Sequence, residues 1–155
     1  MIQDASVGAS DIAPRQLIDL LGLQPHPEGG HFIQTWQAPS DGARSSGTAI
    51  YFLLQEGEVS HWHRVDSAEV WHHYAGAPLA LDTWVEGSEV TRRHLGTDIL
   101  AGERPQLIVA PGEWQTARSV GAWTLAGCTV SPGFEFGHFE LAAPDWEPST
   151  SGLSR

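Results

Sequence analysis

The chain has 155 residues, enough for one domain with a core of its own and short for two. Its 19 acidic against 8 basic residues give a formal charge of −11, and every basic residue is an arginine because lysine is absent. Such a surface repels phosphate backbones and anionic membranes, so neither nucleic acid nor membrane is an expected partner. The only cysteine, Cys128, excludes an intrachain disulfide, no apolar run approaches a bilayer span, and the first residues show no secretory pattern. Together these point to a cytoplasmic location.

Residues 1–12 and 144–155 read as flexible tails around one domain at 13–143. Ser10 or Asp11 is placed to cap a short helix with Pro14 in its first turn. Leu17, Ile18, Leu20 and Leu21 give that helix an apolar face, and Gly22 is placed to end it. From residue 31 the texture changes to short segments rich in Val, Ile, Thr and aromatic residues, punctuated by Gly and Pro. Strands are expected near 31–37, 48–55, 59–64, 69–75, 78–85, 89–95, 106–110, 113–118, 121–130 and 134–141. Many evenly spaced short strands imply an all-β sandwich or barrel.

The densest chemistry lies between Gly57 and Gly76, in the run Gly57-Glu-Val-Ser-His61-Trp-His63-Arg-Val-Asp-Ser-Ala-Glu69-Val-Trp71. Strand alternation puts His61 and His63 on one face, and a turn at Val65–Ala68 is expected to bring the next strand back alongside with Glu69 near both rings. Two imidazoles and a carboxylate suit Fe, Mn, Ni or Zn as ligands, and equally suit metal-free proton transfer. Further on, Pro111-Gly112 makes a tight turn into a strand that points Gln115 inward.

These stretches resemble the two motifs of the cupins. The chain as a whole resembles the cupin-5 family, on His26-Pro-Glu-Gly-Gly30, Thr48-Ala-Ile-Tyr-Phe-Leu-Leu54, His63-Arg64 with Glu69-Val-Trp71, Pro111-Gly-Glu-Trp-Gln115 and Gly127-Cys-Thr-Val-Ser-Pro-Gly-Phe134. The resemblance covers residues 16–141. It implies a double-stranded β-helix, the cupin jelly-roll barrel, with a short N-terminal helix, and a homodimer paired through an edge strand. It also implies a polar pocket for a small molecule, and it permits, without implying, one divalent metal (Fe, Mn, Ni or Zn) on His61, His63, Glu69 and Gln115. Two departures stand out: the interval from His63 to Glu69 is longer than in the general motif, and Gln115 occupies the place of a histidine ligand. A neutral amide is a poorer ligand for a first-row metal than imidazole.

The expected catalytic residues are His63, Glu69 and His61. Glu28, Arg44, Tyr51, Trp71, His73 and Gln115 are expected to contact ligand, with Arg44 as an anion reader or a solvated charge and Tyr51 as a phenol donor or a core strand residue. Arg64 is expected to pair with Asp66 or Glu69. His72 and Tyr74 are expected to face outward, His94 and His138 to lie at the surface, and Cys128 to be a small buried residue. Three functions fit: an isomerase or epimerase acting on a small polar molecule or sugar derivative by acid–base chemistry, a non-catalytic ligand-binding module, and a metal-dependent oxygenase or lyase.

Overall fold

The computed structural model describes residues 12–149. Its helix, α1 (Pro14–Leu21), begins on proline, whose fixed φ suits a first turn that needs no amide donor. The cap position is therefore Ala13, and the side-chain oxygen of Gln16 accepts the Ala13 N–H at 3.0 Å. Ser10 and Asp11, the expected caps, lie outside the described residues. Gly22 ends the helix at φ 69°, as its freedom from a Cβ allows. Leu17 and the following Leu23 bury against Leu53 and Trp123, so α1 braces the outside of a sheet.

Eleven strands follow: β1 (Gln24–Pro25), β2 (His31–Gln37), β3 (Thr48–Gln55), β4 (Val59–Val65), β5 (Ala68–Gly76), β6 (Leu79–Trp84), β7 (Thr91–Leu95), β8 (Gln106–Val109), β9 (Trp114–Ser119), β10 (Trp123–Ser131) and β11 (Phe139–Leu141). They form two antiparallel sheets, in the orders β1-β2-β3-β10-β5-β8 and β11-β4-β9-β6-β7. The architecture is the expected all-β jelly roll, as a sandwich of two facing sheets; no ladder closes them into a complete barrel among the described residues. The expected last strand at 134–141 shrinks to β11, because a 3-10 turn at Phe136–His138 takes up its first half.

Between the sheets, Phe52, Leu54 and Trp71 of one sheet meet Leu79, Leu81 and Ala117 of the other, with Leu95, Leu107, Val109, Ala126 and Cys128 around them. Each large side chain buried here contributes about 1.5–3 kcal/mol. This apolar packing fills one end of the interior. The other end is polar, and two features of the chain shape it.

The first is the corner after β4. Asp66 and Ser67 do not form a hairpin; β5 pairs with β10 and β8, and β4 with β9 and β11. The corner thus carries the chain from one sheet to the other, and His63 and Glu69 approach the interior from opposite walls. Arg44 holds this corner, with two hydrogen bonds to the Asp66 carboxylate (2.9 and 2.7 Å), one to Ser67 Oγ (2.8 Å) and one to the Gly133 carbonyl (2.7 Å).

The second is a bulge in β4. Ser60 pairs with Ala117, yet the next pair is His63 with Gln115, so His61 and Trp62 together oppose Thr116 alone. A bulge offsets the alternation of faces by one residue. Ser60 and His63 consequently point inward together, and His61 does not.

Candidate functional site

The polar end of the interior is a small cleft with His26, Glu28, His63 and Glu69 on its walls beside Thr48 and Cys128, and Phe32, Ile50, Val65, Val130 and Phe134 supplying its apolar surface. Its free volume is ≈ 30 Å³, room for about two ordered waters.

Glu28 comes from the loop between β1 and β2. The His26 N–H donates to the Gly30 carbonyl (2.9 Å) and the Gly29 N–H to the His26 carbonyl (3.0 Å), closing a tight turn. Gly29 and Gly30 both have positive φ (109° and 77°), and a side chain at Gly29 would run into the Val59 carbonyl. The glycine pair therefore lets the loop press onto the start of β4, where the Glu28 carbonyl accepts the His61 N–H at 2.7 Å. The bulge is thus pinned by the same loop that supplies the carboxyl group.

Ser60 Oγ donates to Glu28 Oε1 (3.0 Å), and His63 Nε2 lies 3.3 Å from Glu28 Oε2. His63 Nδ1 is 2.7 Å from the His61 carbonyl, which can only accept, so Nδ1 carries hydrogen and Nε2 presents a lone pair to Glu28. Conversely His26 Nδ1 accepts the Glu28 backbone N–H (3.1 Å), which leaves the hydrogen of a neutral His26 on Nε2. Glu69 is oriented by a relay: Gln115 Nε2 donates to Glu69 Oε1 (2.6 Å), and Trp71 Nε1 donates to Gln115 Oε1 (2.8 Å). The indole thereby fixes which end of the amide faces the carboxyl.

Burial decides the protonation of the group. It pushes Glu28 up to about 8, partly offset by the Ser60 hydroxyl. Burial also raises Glu69, with His63 opposing and Glu28 reinforcing the shift. It lowers His26 to about 4, helped by His63, and lowers His63, against the opposing pull of Glu69. Near neutral pH both rings are neutral bases and the Glu28 carboxyl is mostly an acid.

The chain matches a family model, Cupin_5, cupin superfamily (DUF985), over residues 15–142. The chain belongs to that family. A solved protein of Shewanella oneidensis is similar to this cupin at 38% identity and TM-score 0.82, covering 85% of each chain. A hypothetical protein from Leishmania major is similar at 28% identity and TM-score 0.78, covering 85% of this chain and 88% of its own. Oxalate decarboxylase of Bacillus subtilis shares the fold at 10% identity and TM-score 0.60, over 76% of this chain and 29% of that enzyme; the enzyme itself holds Mn(II) centres. No curated protein matches the chain.

Of the residues expected to form the site, this cupin brings Glu28, His63 and Glu69 to the cleft. Gln115 stands behind it, wholly buried, as the support of Glu69. His61 is turned out by the bulge, and its Nε2 meets the Ala143 carbonyl at 2.8 Å. Trp71 lies deeper, edge-on to Phe52 in the apolar core, and touches the site only through Gln115. His73 is two further alternations along β5, roughly 13 Å from Glu69 at ~3.3 Å per residue; its ring meets the Gly76 and Ala77 carbonyls instead. Tyr51 sits on the outer face of β3, against the helix cluster and Tyr74. Arg44 lies outside the cleft, with its donors on Asp66, Ser67 and the Gly133 carbonyl at the corner. Arg64 pairs with Glu140 (2.7 Å) and lies over Trp114, because β11, not the corner, is its neighbour.

The quartet His61, His63, Glu69 and Gln115 does not fit a divalent metal here. One member faces away, and both ends of the Gln115 amide are consumed by Trp71 and Glu69. Among the described residues no three His, Cys, Asp or Glu side chains converge as a metal site. The residues that sequence reasoning passed over are His26, Ser60 and Cys128. The adjacent glycines after Glu28 were the available signal for His26, since they mark a backbone forced into close approach.

Proposed function

We propose that this cupin is an enzyme of isomerase or epimerase type, moving a proton on a small polar organic molecule or sugar derivative. The observation that carries the reading is the pairing of a neutral, tautomer-fixed His63 Nε2 with the buried Glu28 carboxyl at 3.3 Å, across the cleft from a second buried carboxyl, Glu69. An epimerisation needs a base on one face of a carbon and an acid on the other. His63 Nε2 draws the proton from Glu28, which becomes the base on one face; Glu69 from the facing sheet gives its proton to the other face, and solvent then carries the His63 proton back to Glu69. Gln115 and Trp71 act as positioning residues for Glu69.

The test is solvent-deuterium incorporation into a panel of small polar molecules and sugar derivatives, with and without chelator. The expected outcome is exchange that is indifferent to chelator and, measured at saturating substrate so that affinity does not enter, falls 10²–10⁴-fold in Glu69→Gln, the usual weight of one general acid or base. A compound that binds tightly and returns unchanged and unlabelled would make the protein a binding module. Exchange lost on chelation would replace the metal-free route.

A further inference from the structure

We propose that the cleft takes a small organic cation, a primary ammonium or a guanidinium, in preference to an anion or a neutral amide, with the positive group seated between Glu28 and Glu69. This rests on reading the cleft as the ligand site, and adds the charge of the substrate.

Among the described residues no arginine lines the cleft, and the chain has no lysine to offer. The arginines nearest the corner are already committed: Arg44 is held by Asp66 and Gly133, and Arg64 by Glu140. What faces the cleft is two carboxyls, each more than nine-tenths buried. Their partners are uncharged donors and bases: the Ser60 hydroxyl and His63 for Glu28, and the Gln115 amide for Glu69. A buried carboxylate without a cation is costly, and burial holds both groups toward their protonated forms. An entering cation displaces one of those protons to solvent, supplies the missing charge and makes short, charge-assisted hydrogen bonds to the pair. An entering anion meets two carboxyls and, among the described residues, no arginine.

The apolar surfaces agree. Phe32 and Phe134 line the cleft with aromatic surface, which suits a cation, and the His26 ring packs edge-on against Phe32 at 4.4 Å. The free volume of ≈ 30 Å³ has room for the head of an ammonium or the edge of a guanidinium. At long range, a net charge of −11 attracts cations to the protein.

The experiment is a titration of the full chain in chelator at pH 7.5, following the His26 and His63 ring signals by NMR, with methylguanidinium, ethylammonium, acetate and acetamide as probes. The expected result is saturable shifts with at least one cation, at least tenfold weaker binding of acetate and acetamide, and at least a tenfold loss of cation affinity in Glu28→Gln. That substitution keeps an acceptor for Ser60 and offers an N–H to His63 Nε2. If its thermal transition shows misfolding, Glu69→Gln carries the same expectation. Acetate or acetamide binding as tightly as either cation, no saturable shift with any probe, or an unchanged affinity in a folded variant would overturn the inference. Cation binding without any solvent-deuterium exchange would retain it and discard the proton-transfer reading; exchange on an anionic substrate would do the reverse.

Discussion

Glu28 carries the cleft's clearest thermodynamic signature. Its folded value of about 8 lies above the usual 4.5, so the folded state holds a proton that the unfolded chain has already lost. Stability from this group is therefore full below about 4.5 and declines as pH rises toward 8. His26, lowered to about 4 from 6.5, has the opposite sign: the unfolded chain binds its proton first, so stability rises with pH between those values. The two slopes overlap below 6.5 and separate above it. Between pH 6.5 and 8 the stability of Glu28→Gln relative to the parent should accordingly increase, by about 1.5–2 kcal/mol for one proton at ~1.4 kcal/mol per pH unit. Urea denaturation of both proteins at pH 6.5, 7.25 and 8 checks this; parallel curves would show that Glu28 ionises normally. None of this was legible in residue types alone. The Pro-Glu-Gly-Gly loop marked Glu28 as a ligand contact, but its burial shows only once the loop is seen pressed onto β4.

Among the elements, β4 shows where periodic reasoning stops. Its range and its inward His63 follow from alternation, but alternation also predicted an inward His61. The extra residue that breaks the pattern is fixed by the Glu28 carbonyl on the His61 amide, a contact more than thirty residues away in sequence that no local pattern encodes. His61→Ala should then cost only about 1 kcal/mol, the net worth of one hydrogen bond to the Ala143 carbonyl, and leave binding in the cleft unchanged. His63→Ala should abolish that binding while the fold survives. Melting curves and the same NMR titration separate the two. Equal losses in both variants would put His61 back in the site. Trp71 and His73 failed for a simpler reason: they do share the face of Glu69, but a strand carries them away from it by two residues at each step. Gln115 was placed inward, and its role as a support depended on an indole from another strand.

For the molecule as a whole, strand positions and fold class were readable because β-rich segments and turn residues repeat along the whole chain. The corner at Asp66–Ser67 was not, since a hairpin and a change of sheet look the same in sequence. Cys128 is the chain's single thiol, 2% exposed, at the base of the cleft between the sheets. Burial, with Glu69 and Glu28 adding to it, raises it well above its usual value, so the closed protein holds a thiol and not the reactive thiolate. Alkylation by a small reagent must then wait for the two walls to part, and its rate becomes a clock for that opening. Occupancy of the cleft should slow the clock severalfold, and a rate indifferent to every bound probe would mean that the thiol is reached from elsewhere. The protein thus carries its own timer, one sulfur atom that counts how often the sandwich breathes.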